Sequence, residues 1–126
     1  MNQEHQEIIQ AYVKAYNALD VPGMLQHLHE TVVFENSSNG KVDLRIEGLD
    51  AFNEQAQKAL DLFSQREQKI TSWESDADSI RIGIAYEGTL AIDLPNGLKK
   101  GDVLSLKGRS IFQFEGNQII FIRDES

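Results

Sequence analysis

The sequence predicts an α+β fold in which three helices cover one face of a cone-shaped, curved antiparallel sheet. Two observations support this fold class. Apolar residues recur at helical spacing only in the first half of the chain, whereas the second half alternates as strands do. Helix, helix, hairpin, helix and then a meander of long strands is the element order of an α+β architecture. Because the chain has 126 residues, we expect a single domain over residues 1–126.

The first half contains the three predicted helices and one hairpin. From about residue 3 to 19 an apolar stripe at helical spacing comprises Ile8, Ile9, Tyr12, Val13, Tyr16 and Leu19. Asp20 and Pro22 are a suitable cap and first-turn residue for a short second helix over 21–29. "TVVFE", a turn at Asn39-Gly40 and "VDLRIEG" predict the hairpin. A third helix is predicted over 49–64, with Phe63 on its inner stripe.

The second half predicts strands only. They are "QKITSWES", "SIRIGIAYEGTLAID" with alternate residues from Ile80 to Ile92 on one face, "DVLSLKGRSIFQF" and, after a tight turn, a last strand that ends "IIFIRDES". Strict alternation in the last strand places Ile120, Ile122 and Asp124 on one face and Ile119, Phe121 and Arg123 on the other.

Composition excludes several classes of function. A net charge of −8 argues against binding to nucleic acid and to anionic membranes. The absence of cysteine excludes disulfides, zinc ribbons and thiol catalysis. The polar start "MNQEHQEIIQ" is unlike a signal peptide, and no apolar run approaches the length of a membrane span, so we expect a cytoplasmic protein.

Two stretches carry a resemblance to a known superfamily. "YVKAYNALDVPGMLQHLHETVVFEN" resembles the opening of nuclear-transport-factor-2-like proteins, which include SnoaL-like polyketide cyclases and ketosteroid isomerases. "GRSIFQFEGNQIIFIRD" resembles the last hairpin of SnoaL-like members, and the element order agrees over nearly the whole chain. The resemblance implies a cone with an internal cavity and no cofactor. It does not imply one chemistry, because the superfamily includes isomerases, cyclases, hydrolases and noncatalytic modules.

The resemblance also implies candidate site residues. Tyr12 corresponds to the tyrosine of ketosteroid isomerases, Asn36 to their aspartate base and Ser110 to their neutral aspartic acid. An amide cannot accept a proton at neutral pH, and a hydroxyl is a weaker donor than a carboxylic acid, so steroid isomerisation by that mechanism is not expected. Asp124 lies close to the position of the aspartate acid/base in SnoaL-like cyclases.

Each candidate has an alternative interpretation. Asp124 is either a solvated carboxylate near the chain end or a cavity residue whose pKa burial raises. Tyr12 either packs in the core or lines the cavity, and Asn36 either serves the turn or points inward. We take Asp124 and Tyr12 as candidate catalytic residues. The candidate ligand-binding residues are Tyr16, Asn36, Ser110, Phe112 and Ile122.

Two functions follow from these candidates. The first is a noncatalytic domain that binds a small, apolar, oxygenated molecule in its cavity, and the replacement of two carboxylates favours it. The second is a cofactor-free isomerase, cyclase or hydrolase in which Asp124 moves a proton and Tyr12, Asn36 and Ser110 are its polar partners.

The sequence also bears on metal binding and on assembly. His27 and His29 are two residues apart on a predicted helix and point to different sides, so we expect no metal there. We expect a homodimer through the outer face of the sheet, because that face carries Val103, Ile111, Ile119 and Phe121.

Overall fold

The computed structural model describes residues 2–126 and has the predicted α+β architecture. Its elements are α1 (Gln3–Asn17), α2 (Val21–Leu25), β1 (Leu28–Ser38), β2 (Lys41–Glu47), α3 (Leu49–Leu60), β3 (Phe63–Ser75), β4 (Ile80–Leu90), β5 (Val103–Glu115) and β6 (Gln118–Glu125). The six strands form one curved, unclosed sheet in the order β2-β1-β6-β5-β4-β3. All neighbours are antiparallel except β1 and β6, which are parallel, and this pairing places the last strand in the middle of the sheet.

The first two helices begin as their sequences predict. The Asn2 side chain accepts a hydrogen bond from the His5 N–H at 3.1 Å and caps α1. The Asp20 side chain accepts from the Gly23 N–H at 3.1 Å and caps α2, with Pro22 in the first turn. The second helix is shorter than predicted because it ends at Leu25 and the chain enters β1 three residues later.

The boundary between α3 and β3 differs from the prediction. The helix ends at Leu60, and Phe63 is the first residue of β3 instead of a helical residue. The Ala91 N–H donates to the Leu62 carbonyl at 2.8 Å, and Phe63 pairs with Leu90, so pairing with β4 begins where the helical pattern still continues. Tertiary pairing therefore overrides local periodicity over these residues.

The long strand β4 confirms the predicted alternation. Its buried apolar side chains, which all face the helices, are Ile80, Ile82, Ile84 and Leu90. Ile92 does not continue the row, since the strand ends at Leu90 and Ile92 is 41% exposed.

A β-bulge in β6 changes which residues face the core. Phe114 pairs with Ile119 and Gln113 pairs with Phe121, so Ile120 is the extra residue. Ile119 and Ile122 are consequently both fully buried, and the predicted outer position of Ile119 is wrong. Beyond the bulge the alternation resumes, which leaves Asp124 on the same face as Ile122.

The core lies between the helices and the concave face of the sheet. Buried residues of α1, α2 and α3 pack there with those of β4, β5 and β6. Within residues 2–126, no helix combines the length and apolarity that crossing a bilayer requires.

Candidate functional site

Three polar side chains lie side by side across neighbouring strands on the concave face. Asp124 in β6 is in register with Asn36 in β1 on one side and with Ser110 in β5 on the other. The adjacent row toward the core is apolar and consists of Phe34, Ile122 and Phe112. The polar row therefore marks the point where the concave face changes from core to site.

Backbone contacts hold the end of β6 in place. The Ser126 N–H donates to the Ser37 carbonyl at 3.0 Å, and the Asn39 N–H donates to the Ser126 backbone oxygen at 3.1 Å. A Cβ atom at Gly108 would lie 2.3 Å from the Glu125 carbonyl oxygen, so the close approach of β5 to β6 requires glycine there. These contacts position Asp124 although it lies near the chain end.

Desolvation by burial is the main influence on the Asp124 carboxyl. Burial raises its pKa from the ordinary 3.8 to about 6, against a smaller lowering by a hydrogen bond from Ser110. The Ser110 Oγ donates that bond to Oδ1 at 2.6 Å. No lysine, arginine or histidine of residues 2–126 forms an ion pair with Asp124. A carboxyl with this pKa exchanges protons readily near neutral pH.

Two pockets meet at Asp124, and both are also lined by Tyr16 and Asn36. The first, here called the strand-end pocket, has a volume of about 160 Å³. Its wall combines uncharged residues, among them Ile84, Tyr86, Leu106, Gly108 and Ser110, with the charged Lys107, Arg109 and Glu125. The second, here called the helix-side pocket, has a volume of about 240 Å³ and is completed mainly by Tyr12, Phe34, Phe52, Ala56, Phe63 and Arg66. The half-buried Asp124 thus has access to both spaces.

The two tyrosines of α1 lie on the pocket walls in their neutral forms. Tyr12 lines the helix-side pocket and packs edge to face against Phe112, with ring centroids 5.9 Å apart. Burial, and secondarily the charge of Asp124, raises the pKa of Tyr12 well above its ordinary value. Burial, then the neighbouring Tyr86, raises the pKa of Tyr16 as well. Both hydroxyls therefore keep their proton and can donate it in a hydrogen bond.

Asn36 lies within β1 and not in the turn that follows. Its Nδ2 donates to Asp43 Oδ1 of β2 at 2.9 Å, and this bond is the main reason that the pKa of Asp43 is lowered. The side-chain amide of Asn36 is thereby anchored at the boundary of the two pockets.

Phe112 and Ile122 are placed differently from the other candidates. Both are at most 1% exposed and pack in the core, and neither lines the strand-end or the helix-side pocket. They pack on the core side of the site. Phe112 contacts the ring of Tyr12, and Ile122 belongs to the apolar row next to the polar row.

Arg66 is a site residue that the sequence analysis missed. The side chain belongs to β3, is 6% exposed and lines the helix-side pocket. Its guanidinium carbon lies 3.7 Å from the centre of the Tyr16 ring, and its Nε donates to the Tyr16 carbonyl at 2.9 Å. The Asn17 side chain fixes this strand by two hydrogen bonds to the Gln68 backbone, of 3.1 and 2.7 Å.

The sequence did contain a signal for Arg66. In β3 the more buried side chains alternate through Arg66, Gln68 and Ile70. Counting back from Ile70 in steps of two residues reaches Gln68 and then Arg66. The third helix, predicted to continue to residue 64, concealed that alternation.

The family profile described as the SnoaL-like domain matches residues 9–122. The chain belongs to the SnoaL-like domain family. This match runs from Ile9, within α1, to Ile122 and includes the polar site residues Tyr12, Tyr16, Asn36, Arg66 and Ser110, whereas Asp124 lies outside it. No curated protein matches the sequence significantly.

Solved structures share the fold of this SnoaL-like domain. A candidate polyketide cyclase from Xanthomonas campestris is 21% identical with a TM-score of 0.82, and the match covers 98% of this chain and 90% of that one. A candidate hydroxylase, AclR from Streptomyces galilaeus, is 16% identical with a TM-score of 0.76 over 97% and 87% of the two chains. A Catenulispora acidiphila protein with a ketosteroid isomerase-like fold, in complex with trimethylamine, is 14% identical with a TM-score of 0.76 over 94% and 83%. At these identities the likeness establishes the fold alone.

The histidines of this SnoaL-like domain lie apart from the polar row. Leu28 between them is buried at 3% exposure, and β1 has already begun there. His29 Nδ1 accepts from the Thr31 N–H at 3.1 Å, while its Nε2 lies 3.9 Å from Glu115. In the part of the chain that the structure describes, no three His, Asp or Glu side chains are grouped as metal ligands.

Proposed function

We propose that this SnoaL-like domain binds a small, mostly apolar, oxygenated molecule in the pockets beside Asp124 and transfers a proton to or from it without a cofactor. The single observation that carries the proposal is the Asp124 carboxyl, whose pKa burial raises to about 6 where two pockets meet. General acid–base catalysis is most efficient when the pKa of the catalytic group lies near the working pH.

The reaction class that fits is proton transfer at a carbon next to a carbonyl group. The Asp124 carboxylate removes the proton, the electron pair of the C–H bond forms the C=C bond of an enolate, and the negative charge moves to the carbonyl oxygen. Tyr12 lines the same pocket as a neutral hydroxyl and can donate a hydrogen bond to that oxygen. If a C=C bond adjoins the enolate, return of the proton from Asp124 to the far carbon of the dienolate gives an isomer. If the molecule has a second carbonyl, attack of the enolate carbon on it closes a ring, and the proton on Asp124 passes to the new alkoxide.

A second candidate function is ligand binding without chemistry. The position that holds the aspartate base in ketosteroid isomerases is Asn36 here, and its amide is already bonded to Asp43. Among the described residues that line the helix-side pocket, Asp124 has the only carboxyl group, so a two-carboxyl mechanism is not available there. Deuterium exchange into a ketone separates this candidate from the enzyme.

The experiment uses 2-tetralone, an apolar bicyclic ketone with acidic C–H bonds next to its carbonyl. Exchange of those hydrogens in D₂O is followed by proton NMR with the wild type and with Asp124→Asn. We expect the wild type to accelerate exchange over buffer and Asp124→Asn to lose at least about 100-fold of that rate. Glu115→Gln is the matched control, because its side chain is 71% exposed at the end of β5.

The outcomes assign the function. Acceleration that depends on Asp124 supports the enzyme. Binding of the ketone without acceleration contradicts proton transfer and leaves the binding domain. Acceleration that persists in Asp124→Asn contradicts proton transfer by Asp124.

A further inference from the structure

The helix-side pocket contains a buried positive charge, the Arg66 guanidinium, that has no negative partner among the described residues 2–126. Arg66 is 6% exposed, and no carboxylate of residues 2–126 lies within 4 Å of its guanidinium. The remaining charged residue of this pocket is Asp124, which lies beyond ion-pair distance of Arg66. An unpaired charge in such a place costs free energy, and this cost calls for an explanation.

The hydrogen bonds of Arg66 leave its outer edge free. Nε is used by the Tyr16 carbonyl at 2.9 Å, whereas Nη2 contacts only the Met24 Sδ at 3.8 Å, which is a weak acceptor. Nη1 has no hydrogen-bond partner in residues 2–126 and is not among the fully enclosed polar atoms. The two Nη atoms together form the edge that binds a carboxylate through two parallel hydrogen bonds.

The orientation of that edge is fixed before a ligand arrives. The Tyr16 ring stacks on one face of the guanidinium at 3.7 Å, and the bond to the Tyr16 carbonyl prevents rotation about the side chain. The surrounding wall is aromatic, with Phe34 and Phe52 packed edge to face at 5.8 Å between centroids. Aromatic walls favour planar rings.

We propose that Arg66 is an anion-binding subsite and that the molecule bound in the helix-side pocket is planar, mostly apolar and carries a carboxylate. This inference rests on the proposed function, since Asp124 lies in the same pocket and acts on the bound molecule. The carboxylate occupies the Arg66 edge and orients the ring toward Asp124, which lies beyond ion-pair distance of Arg66. Orientation by a distant charged group is an efficient use of binding energy.

The test compares two ligands of one shape that differ in charge. Binding of 2-naphthoate and of its neutral isostere 2-naphthamide is measured by calorimetry. We expect the wild type to prefer the carboxylate by at least about tenfold, as charge-assisted hydrogen bonds imply. Arg66→Met keeps an apolar side chain of similar length against Tyr16 and is expected to abolish the preference by weakening naphthoate alone. Lys58→Met removes an exposed charge from α3 and is the control, with no expected change.

A second variant shows whether weaker binding in Arg66→Met comes from misfolding or from the lost guanidinium. Arg66→Lys keeps the charge but loses the two-bond geometry, so it should bind naphthoate more weakly than the wild type and naphthamide equally well. Equal affinity for both ligands in the wild type, a preference that survives in Arg66→Met, or no binding of either ligand overturns the proposal.

Asp124→Asn distinguishes a failure of this inference from a failure of the proposed function. The variant should keep the preference for naphthoate because it leaves Arg66 intact. Ketone exchange that depends on Asp124 without any carboxylate preference overturns the Arg66 subsite alone. A preference for naphthoate without exchange overturns proton transfer alone.

Discussion

The two faces of β6 treat charge in opposite ways. On the convex face, Glu35 accepts hydrogen bonds from Arg123 Nε at 2.9 Å and from Arg45, and Glu125 accepts from Arg109 Nε at 2.7 Å. On the concave face, Asp124, which follows Arg123 in the strand, accepts a hydrogen bond from Ser110 and has no cationic partner within residues 2–126.

The pKa values of the two carboxyl groups express this difference. The side chain of Glu35 is only 8% exposed, yet its pKa is lowered, chiefly by the hydrogen bond from Arg123. The pKa of Asp124 is raised to about 6 because burial is opposed only by the bond from Ser110. Charges that are paired hold strands together, whereas charges left unpaired beside a pocket are available to a ligand.

Removing the ion pairs of Glu35 on the convex face should have the largest effect on the free energy of unfolding. Glu35→Gln leaves Arg123 and Arg45 without their shared carboxylate and should lower the free energy of unfolding by about 3 kcal/mol. This value is at the lower end for a buried ion pair because both arginines reach water. Urea unfolding at neutral pH measures it, with the exposed Glu47→Gln of β2 as the control. A loss equal to that of the control would mean that the network contributes nothing.

Removing the unpaired charge of Asp124 should instead raise the free energy of unfolding. Because the folded pKa of Asp124 is above its ordinary value, the native state binds the proton more tightly, and stability falls as pH rises from about 4 through about 6. Asp124→Asn removes that cost and should raise the free energy of unfolding by about 2 kcal/mol near pH 8 but change it little near pH 4.

Urea unfolding of wild type and Asp124→Asn across this pH range provides the measurement. The difference between the two proteins should grow with pH, while Glu115→Gln, an exposed carboxyl, should show no such growth. A difference that is constant with pH would place the Asp124 carboxyl in water.

Part of the fold and of the site could be predicted from the sequence. The fold class and the inward direction of Asp124 followed from periodicity and family resemblance, because alternation beyond the bulge is regular and the first two helices begin at clear caps. The position of Ile119 could not be derived, since a bulge is set by the pairing of two strands and not by one strand's pattern.

The same reason explains why the sequence pattern did not predict Arg66 as a site residue. Arg66 lies just after a helix whose end is decided by pairing between β3 and β4, so its strand position was hidden. The charge network of the convex face was also hidden, because Glu35, Arg45 and Arg123 come from three separate strands. Contacts between strands distant in sequence decide which charges are paired, and single-strand patterns do not contain them.

The convex face offers a further prediction about assembly. We propose that two copies associate through this face, where the partly exposed Ile111 and Phe121 lie among the paired charges. Ile119 takes no part, because it is buried in the core. Ile111→Lys should raise the dimer dissociation constant by at least about tenfold, or about 1.4 kcal/mol. Light scattering at micromolar concentration measures it, and Ile92→Lys, off the sheet, is the control. A monomeric wild type would contradict the proposal.

The smallest expected effect concerns the hydrogen bond that Ser110 donates to the Asp124 carboxyl. The Ser110 Oγ donates to Asp124 at 2.6 Å, and this bond stabilises the charged form and lowers the pKa that burial raises. Ser110→Ala should therefore move the pKa of Asp124 upward from about 6 by about one unit, the equivalent of one hydrogen bond to a charged group. Carbon-13 NMR titration of the carboxyl follows it, with the signal assigned by its loss in Asp124→Asn and with the exposed Ser105→Ala of β5 as the control. The sign is decisive, because a serine that merely fills space would leave the titration midpoint unchanged. An upward shift would also make Asp124 a weaker acid at neutral pH, so the rate of ketone exchange in Ser110→Ala should reach its maximum at a higher pH than in the wild type.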